Sequence, residues 1–408
     1  MSARRGRPRA LILGAGFAGL ACANALSARD FAVTVVDRKR HFEFLPNIHE
    51  IISGVKRPAQ LRIPLAATLK AQGHRFIRDQ VLAIDATERR LQLASGREIR
   101  GDYLVLAPGS EDGVYGIPGV REHALPLRSV DQARAIHTRL EALAKEPGPR
   151  RAVIVGAGYT GVEAAGEILR RYADADLRLT LVEGGPRLLP SMPAPIGEFL
   201  RHRGTSRGMD CITGDPVAKL TARTVFLQSG QRVPSHATIW AGGPRAPEVL
   251  GAAMPGASPS WVPVEDTLEH PHFANVFIAG DSAAPPNAVS KQAYHALDMG
   301  ALAADNIRRR DRRRRLRSYR PLPRPTLLAF GDLDTVLVAG DRALASPALA
   351  TGEELVCTAV LAQLDRRAPR ERADALLDRG RQATRALLWP ALGDMKSLLR
   401  QARVQRLS

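Results

Sequence analysis

The chain has 408 residues, of which 45% are hydrophobic, so it is long enough for two or three domains that each bury a core. Its three cysteines are far apart and show no C-x-x-C or metal-ligand spacing, which argues against a disulfide framework and a metal site and fits a reducing, cytoplasmic compartment. The formal charge of +18 admits nucleic acid or anionic lipid as a partner, but no run of about 18 apolar residues predicts a membrane-spanning helix.

The first predicted element is a strand–helix–strand unit over residues 9–37. Its apolar first strand leads into Gly14-x-Gly16-x-x-Gly19, and its second strand ends at the acidic Asp37. In such a unit the first glycine makes a tight turn, the second lets a pyrophosphate approach the backbone, and the third lets helix and strand pack closely, while the acid binds a ribose hydroxyl. The residues expected to hold this first dinucleotide are Gly14, Gly16, Phe17, Ala18, Gly19, Asp37 and Arg38.

The segment that follows is predicted to return the chain to the first nucleotide. Residues 42–54 are expected to form a loop that passes into a short helix, and alternating apolar residues near 81–106 predict a small antiparallel sheet. The last apolar strand there ends in small residues, so Ala107 and Gly109 are expected beside the same nucleotide. The turn Gly116-Ile117-Pro118-Gly119 then marks the crossing into a new domain.

A second copy of the fingerprint begins about 140 residues after the first. An apolar strand leads into Gly156-x-Gly158-x-x-Gly161, and the next strand ends at Glu183. Two such units in one chain predict two dinucleotides, which are most naturally a flavin that stays bound and a nicotinamide cofactor that exchanges. The residues expected to hold the second dinucleotide are Gly156, Gly158, Tyr159, Thr160, Gly161, Glu183 and, after a later apolar strand, Gly242.

The acid of the second copy favours NADH over NADPH. A carboxylate such as Glu183 accepts a hydrogen bond from a free ribose 2′-hydroxyl and repels a 2′-phosphate. Arg187 lies close enough in sequence to accommodate such a phosphate and weakens this preference.

A third segment is expected to rejoin the first nucleotide-binding unit. Its apolar strand ends at Gly280 and Asp281, and a helix is predicted from about Asn287 to Arg310 after two prolines. The sequence therefore predicts an α/β fold with two Rossmann-like domains, in which the second is inserted into the first, and a small C-terminal region. The predicted divisions are 1–117 and 246–320 for the first domain, 118–245 for the inserted domain and 321–408 for the C-terminal region.

The C-terminal region and the segment before it carry two features of open meaning. Ten residues over 308–317 include eight arginines, and they fit a solvated helix end, a contact with anionic lipid or a contact with nucleic acid. Proline-spaced strands at 326–330 and 335–338 lead into a helical tail. Around 383–400 that tail mixes Leu and Trp with Arg and Lys, so it fits a membrane interface, packing on the first domain or a dimer contact.

Taken together, these segments resemble the two-dinucleotide-binding-domain flavoproteins of the pyridine nucleotide-disulfide oxidoreductase superfamily. Among them the chain looks most like the type II NADH:quinone oxidoreductases and the apoptosis-inducing-factor-like ubiquinone reductases. The residues that carry the resemblance lie in the family's order over about residues 10–310: Gly14-Ala15-Gly16-Phe17-Ala18-Gly19, Phe44-Leu45-Pro46, Leu104-Val105-Leu106-Ala107, Gly158-Tyr159-Thr160-Gly161-Val162-Glu163 and Val276-Phe277-Ile278-Ala279-Gly280-Asp281.

The resemblance implies FAD at the first fingerprint and NADH at the second. It places Asp281 at the ribityl chain or diphosphate region of the flavin, where the alternative is a loop-capping aspartate. It places Glu163 beside the nicotinamide and the flavin, where the alternative is an acid that merely stabilises a helix N-terminus. The helix expected near Asn287 would aim its N-terminal N–H groups at the flavin pyrimidine ring and stabilise the negative charge that develops there.

The acceptor end of the site departs from the type II pattern. That family tends to carry two glutamines after the Gly-Asp strand, but here Ala288 stands where the first is expected and Gln292 matches the second. Lys291 instead resembles the apoptosis-inducing-factor-like enzymes, and a cation or amide beside a quinone carbonyl would stabilise its reduced anion. The alternatives are a solvent-facing Lys291 and, for His295, an interior histidine in place of a proton relay.

These observations predict an FAD-dependent NADH dehydrogenase that passes electrons to a quinone. The alternatives are a reductase of a small electron-carrier protein and a non-enzymatic redox-sensing flavoprotein that binds nucleic acid or a protein. No aromatic residues interleave the arginines, which argues against nucleic acid, and no reactive cysteine pair exists, which argues against thiol–disulfide exchange and most sulfide chemistry. The expected location is the cytoplasm, with peripheral contact to an anionic membrane surface and a homodimer as further expectations.

Overall fold

The computed structural model describes residues 6–251, 253–254, 261–331, 334–340 and 342–367 and the strand Arg403–Arg406. The predicted tail at 383–400 lies outside these residues. Within them no helix is long and apolar enough to cross a lipid bilayer.

The first fingerprint belongs to a six-stranded sheet, named the first sheet below. Its neighbouring strands are parallel except for the outermost pair, which is antiparallel. Strands buried on both faces must be apolar throughout, and Leu104, Val105 and Leu106 are fully buried in its middle. Across the sheet the strands are Glu269–His270, Phe273–Ile278, Tyr103–Leu106, Arg9–Leu13, Ala32–Asp37 and Arg75–Arg78.

The second fingerprint belongs to a five-stranded, wholly parallel sheet, named the second sheet below. Its strands in order are Ala124–Pro126, Ala237–Trp240, Arg150–Val155, Leu177–Glu183 and Asp210–Thr213. Along the chain they all fall between Tyr103–Leu106 and Phe273–Ile278 of the first sheet. The predicted fold class, with one Rossmann-like unit inserted in another, is therefore confirmed, while the residue boundaries proposed for the domains stay a prediction.

Helices cover the two sheets and bring small residues into close contact. Helix Ala293–Asp311, the longest among the described residues, packs on Phe17–Ala25, and a Cβ added to Gly300 would lie 2.1 Å from the carbonyl oxygen of Ala18. The fold thus uses glycine where backbones touch. The other α-helices within the described ranges are His49–Ile52, Leu65–Lys70, Val120–His123, Val130–Lys145, Tyr159–Arg171, Ala194–Thr205, Glu248–Gly251 and Ala350–Leu364, and short 3-10 turns cover Leu45–Asn47, Pro58–Leu61, Gly280–Ser282 and Pro347–Leu349.

Smaller sheets connect these layers. The antiparallel sheet expected near 81–106 is present and has three strands, of which the last ends at Arg100. The strands of the smaller sheets are Val81–Asp85, Arg90–Leu93 and Glu98–Arg100; Val217–Thr221, Thr224–Leu227 and Arg232–Pro234; His41–Glu43 with Arg62–Pro64; Glu111–Asp112 with Pro244–Arg245; and Val262–Pro263 with Ala283–Ala284.

The C-terminal region forms an antiparallel sheet and a helix against the inserted unit. The strands are Thr326–Phe330, Asp334–Ala339, Arg342–Ser346 and Arg403–Arg406. Strand Thr326–Phe330 packs on helix Tyr159–Arg171 so closely that a Cβ on Gly166 would lie 2.5 Å from the backbone of Phe330. This contact places helix Ala350–Leu364 beside the junction of the two units.

One predicted element was wrong at its start. The helix expected from about Asn287 begins at Ala293, because Gln292 is extended, with φ −119° and ψ 151°. The preceding segment has tertiary contacts that a helix would break. Lys291 donates a hydrogen bond to the carbonyl oxygen of Ala283 at 2.7 Å, and its ammonium lies 4.4 Å from the ring centre of Trp261. Lys291 and Gln292 therefore precede the helix.

Candidate functional site

The first fingerprint opens onto a cavity of about 650 Å³. The sequence-predicted residues that line it are Gly14, Gly16, Phe17, Ala18, Asp37, Arg38, Ala107, Gly109, Gly280 and Asp281. They come from the carboxyl ends of four neighbouring parallel strands, where open α/β sheets bind their ligands. Gly19, the other predicted residue of this set, packs in the protein behind the cavity wall.

The three glycines of this fingerprint have different surroundings. Gly14 has φ +91°, and a Cβ there would lie 2.2 Å from the carbonyl oxygen of Ala107. A Cβ on Gly19 would lie 1.8 Å from the carbonyl oxygen of Gly14, whereas one on Gly16 would meet nothing within 4 Å. The first and third glycines therefore serve the protein's own packing, and the second leaves room for a ligand's pyrophosphate.

The acid of the first fingerprint also holds its turn. Asp37 accepts hydrogen bonds from the backbone N–H groups of Ala15 and Lys39, both at 2.7 Å. Burial raises the pKa of Asp37, and these two N–H groups oppose that rise. The carboxylate also lines the cavity, and its contact with a ribose hydroxyl stays a prediction.

A hydrogen-bonded chain that the sequence did not reveal completes the cavity wall. Ser110 donates to Asp281 Oδ2 at 2.8 Å, and Arg128 donates to Ser110. Ser129 and Gln132 also line the cavity and form a helix N-cap, in which the Ser129 hydroxyl accepts from the Gln132 N–H at 3.2 Å. The Ser-x-x-Gln spacing before an apolar helix was the signal that could have found this segment.

The second fingerprint repeats the construction of the first. Gly156 has φ +100°, and a Cβ on Gly161 would lie 1.8 Å from the Gly156 carbonyl oxygen, whereas one on Gly158 would meet nothing within 4 Å. Glu183 accepts from the N–H groups of Ala157 and Gly185, both at 2.7 Å. The two cradles therefore share their glycine geometry and the hydrogen bonds of their acids. Tyr159 and Thr160 begin the helix, and Gly242 follows the neighbouring strand Ala237–Trp240.

Arg187, which the sequence allowed as a phosphate ligand, is directed to its own loop. Its guanidinium donates to the carbonyl oxygens of Leu189 at 3.0 Å and Pro190 at 2.9 Å. Arg187 thus stabilises the loop that follows Glu183, and contact of Glu183 with a ribose stays a prediction.

Glu163 lies in a buried cluster of charged residues at the junction of three segments. Its side chain is 12% exposed and lies 3.4 Å from Nδ1 of His49. Glu353, from helix Ala350–Leu364, lies on the other side of the imidazole, 4.0 Å from Nε2. Burial, followed by the Glu353 carboxyl, raises the pKa of Glu163. His49 and Glu353 were missed by the sequence reasoning, because nothing in the sequence places these distant segments together.

The acceptor-end candidates are held in the extended segment before the long helix. Lys291 is half-buried, and burial lowers its pKa. Gln292 caps the helix through its backbone. His295 is buried and shares a 2.8 Å hydrogen bond between its Nδ1 and the hydroxyl of Tyr319, which favours the interior-histidine alternative.

The arginine run at the end of that helix is partly neutralised within the protein. Arg308, Arg309 and Arg317 pair with Asp305 at 3.2, 2.8 and 3.5 Å, and Arg310 pairs with Glu269. The residues 312–315 that follow are exposed. Half of the run is thus structural, and the exposed half faces solvent.

Comparison with known proteins agrees with this geometry. A family model described as pyridine nucleotide-disulphide oxidoreductase matches residues 8–300. The type II NADH:quinone oxidoreductase of Staphylococcus aureus (strain MSSA476) is 23% identical over 381 residues, which cover 86% of this chain and 94% of the relative. NDH2 from Plasmodium falciparum, solved in complex with NADH, superposes with a TM-score of 0.81 at 14% identity and covers 92% of this chain and 97% of its own. The sulfide:quinone oxidoreductase of Aquifex aeolicus superposes with a TM-score of 0.73 at 21% identity, and the match covers 83% of this chain and 84% of that oxidoreductase.

Proposed function

The chain belongs to the pyridine nucleotide-disulphide oxidoreductase family, and we propose that it is an FAD-dependent NADH dehydrogenase that delivers electrons to a quinone. Hydride would pass from NADH to the flavin, and two electrons would pass on to the acceptor. The flavin supplies this redox chemistry when bound, and the protein supplies position and electrostatics.

The observation that carries the proposal is the duplicated cradle. Each cradle has an acid that accepts from its fingerprint N–H, and each has a second glycine, Gly16 or Gly158, with open space where a ligand backbone would lie. The first cradle opens on a cavity whose far wall carries Asp281, which fits a resident dinucleotide. The residues present therefore fit FAD in the first cradle and NADH in the second.

The choice of a quinone is supported by the relatives and by the cysteines. The type II NADH:quinone oxidoreductase of Staphylococcus aureus aligns over most of both chains. Cys22, Cys211 and Cys357 form no disulfide, and burial raises the pKa of Cys22 to about 12 and that of Cys211 to about 11. Since the thiolate is the reactive form, these two cysteines are poorly suited to disulfide chemistry.

We assign roles to the site residues as part of this proposal. Asp281 holds the flavin, Glu183 selects NADH over NADPH, and Glu163 lies beside the nicotinamide and flavin. Lys291 and Gln292 lie at the acceptor end. The hydrogen bond of Lys291 to Ala283 places its ammonium near the segment that follows Asp281, which supports this location.

The proposal extends to location and partners. We infer a cytoplasmic protein whose surface meets an anionic membrane, where a quinone would be held. The exposed arginines at 312–315 support this, since each such residue near an anionic surface contributes about 1 kcal/mol. A homodimer is a further proposal, for which Leu355 and Val356 offer exposed apolar side chains on helix Ala350–Leu364.

An acceptor screen tests the proposed function. The purified protein, loaded with FAD, is given NADH and in turn a soluble quinone, a ferredoxin-type protein and oxygen, and NADH loss is followed by its absorbance. We expect the fastest turnover with the quinone. Faster turnover with the carrier protein would replace the quinone assignment by that of a carrier reductase. Salt-sensitive DNA binding without turnover with any acceptor would favour a redox-sensing protein.

A further inference from the structure

A buried cluster of charged side chains, named the His49 cluster, joins three distant parts of the chain. One part is helix His49–Ile52 with the turn after it, another is helix Tyr159–Arg171 of the inserted unit, and the third is the C-terminal helix Ala350–Leu364. The titratable or charged members are His49, Glu50, Lys56, Glu163, Glu167, Arg170, Glu353, Glu354 and Cys357.

His49 lies between two carboxyl groups, one on each side of its ring. Its Nδ1 is 3.4 Å from Glu163 Oε2, and its Nε2 is 4.0 Å from Glu353 Oε1. The side chain is 2% exposed, and Nε2 is buried without a hydrogen-bond partner among the described residues. Asn47 fixes the outer carboxyl group by donating to Glu353 Oε1 at 3.1 Å. Since the two ring nitrogens face different carboxyl groups, the arrangement suits proton transfer through the ring better than chelation of one ion by a single nitrogen.

Among the described residues of the cluster carboxyl groups outnumber cations, which favours protonated carboxyl groups at neutral pH. Five glutamates lie around the two cations Lys56 and Arg170. Burial, followed by the charge of Glu50, raises the pKa of Glu353 to about 8. Burial also raises the pKa of Glu167 to about 7, although Arg170 opposes this rise. Burial lowers the pKa of His49 to about 4, so its ring is neutral, with one nitrogen that donates and one that accepts.

The proposed reaction needs a proton that NADH does not bring. A quinone becomes a quinol by taking two electrons and two protons, whereas the hydride of NADH carries two electrons and one proton. One further proton per turnover must therefore come from solvent, and a buried site needs a path for it.

We propose that Glu353 and His49 form that path and deliver the solvent proton to Glu163. The inference rests on the proposed function, which places Glu163 beside the nicotinamide and flavin. Glu353, which is 15% exposed, takes the proton from water, and Glu163 passes it into the site.

The transfer balances at each atom. Protonated Glu353 gives its proton to Nε2 of His49, and the Nδ1–H of the ring goes to the Glu163 carboxylate. Glu353 is then protonated again from solvent, and a half-turn of the ring brings the protonated Nε2 to the Glu163 side and the unprotonated Nδ1 to the Glu353 side for the next turnover. The separations of 3.4 and 4.0 Å are longer than a working hydrogen bond, and such contacts commonly shorten when substrates bind.

Adjacent glutamates on the C-terminal helix provide a matched pair of variants. Glu353→Gln keeps the size and the oxygen that accepts from Asn47, but it cannot carry the proton. Glu354→Gln changes the neighbouring carboxylate, which pairs with Lys56 instead, and serves as the control. His49→Gln removes the ring between the two carboxyl groups.

The two half-reactions are measured separately with FAD-loaded protein. We expect Glu353→Gln to leave flavin reduction by NADH unchanged and to slow reoxidation by a soluble quinone by about a hundred-fold. The decline of the wild-type reoxidation rate with rising pH should disappear in this variant, and added imidazole should restore part of its rate. Glu354→Gln should keep the wild-type rate at low pH and should still show the decline with rising pH, at a somewhat lower pH because the charge of Glu354 helps to raise the pKa of Glu353. His49→Gln should behave as Glu353→Gln does.

Three results would overturn the proton path. One is a reoxidation rate and pH profile of Glu353→Gln equal to those of Glu354→Gln. Another is a slow Glu353→Gln that imidazole does not rescue, since a structural defect would not respond to a proton carrier. The third is a divalent metal that copurifies in equal amount with the wild type and is lost in both His49→Gln and Glu353→Gln, which would make the cluster a metal site.

An infrared measurement separates failure of this inference from failure of the proposed function. The wild type should show the carbonyl band of a protonated carboxyl group that titrates with pH and weakens in Glu353→Gln, whatever acceptor the enzyme uses. If quinones do not reoxidise the wild type but this band is present, the quinone assignment fails and the protonation of Glu353 is still supported. If the band is the same in both proteins, the proton path fails by itself.

Discussion

The second glycine of the inserted fingerprint offers a substitution that separates cofactor binding from folding. Gly158 has φ −72° and ψ −171°, which alanine adopts freely, and a Cβ there would meet no protein atom within 4 Å. Gly161, three residues later, would place its Cβ 1.8 Å from the carbonyl oxygen of Gly156. The same change from glycine to alanine is therefore expected to have opposite effects at these two positions.

The magnitudes follow from this geometry. Gly158→Ala should leave the free energy of unfolding equal or raise it by about 0.4–1 kcal/mol, because alanine restricts the unfolded chain. Its Cβ would occupy the space of the NADH pyrophosphate, and we expect at least a ten-fold loss of affinity, or about 1.4 kcal/mol. Gly161→Ala must shift the backbone and should destabilise the protein by about 1–3 kcal/mol or more.

The assay uses the FAD-loaded protein, since the first cradle is untouched by either change. Denaturant unfolding gives the stability, and NADH titration of flavin reduction gives the affinity. The reasoning is refuted if the flavin of Gly158→Ala is half reduced at the same NADH concentration as that of the wild type. It is also refuted if Gly161→Ala has the same free energy of unfolding as the wild type. A chemical reductant should bleach the flavin equally in all variants, which checks that FAD is in place.

Four further predictions concern single side chains. Asp281→Ala should weaken FAD binding more than NADH binding in equilibrium dialysis, because it removes a carboxylate that lines the cavity of the first fingerprint and accepts from Ser110. Equal losses of affinity for FAD and NADH would contradict the assignment. Glu183→Ser should narrow the ratio of flavin reduction rates with NADH and NADPH, and an unchanged ratio would remove Glu183 as the selector. Lys291→Ala should slow reoxidation by a quinone by roughly ten- to a hundred-fold, for the loss of a charge-assisted bond of about 1.5–3 kcal/mol, and leave reduction by NADH intact; if both half-reactions keep their rates, Lys291 has no part at the acceptor. Burial raises the pKa of Glu353 from 4.5 to about 8, so its contribution to stability is present below pH 4.5 and is lost as the pH rises through about 8. The free energy of unfolding of the wild type should therefore fall relative to that of Glu353→Gln between these pH values. Parallel plots of unfolding free energy against pH for the two proteins would contradict the raised pKa.

Local patterns predicted the two cradles well, because the chemistry of each is contained in about thirty residues. Glycine spacing, apolar strands and a terminal acid place the turn, the helix and the acid that binds the turn in one unit. Strand Phe273–Ile278 with Asp281 after it was also predictable, because it reads as a buried parallel strand. Steric contacts and hydrogen bonds between residues close in the sequence specify these elements.

The remainder depends on tertiary contacts that local patterns do not contain. The segment before Ala293 resembles a helix start, yet the contacts of Lys291 with Ala283 and Trp261 keep it extended. The pairing of His49 with Glu163 and Glu353 joins residues more than a hundred positions apart.

The central claim is that one chain holds FAD and uses it to carry electrons from NADH to a quinone, and anaerobic stopped-flow absorbance tests it most directly. The purified protein should be yellow with one FAD; NADH should bleach the flavin faster than NADPH does, and a soluble quinone should then restore its absorbance. A protein that gains no flavin absorbance with FAD, or whose flavin stays oxidised in NADH, would contradict the claim. A flavin that NADH bleaches but no quinone reoxidises would contradict the acceptor.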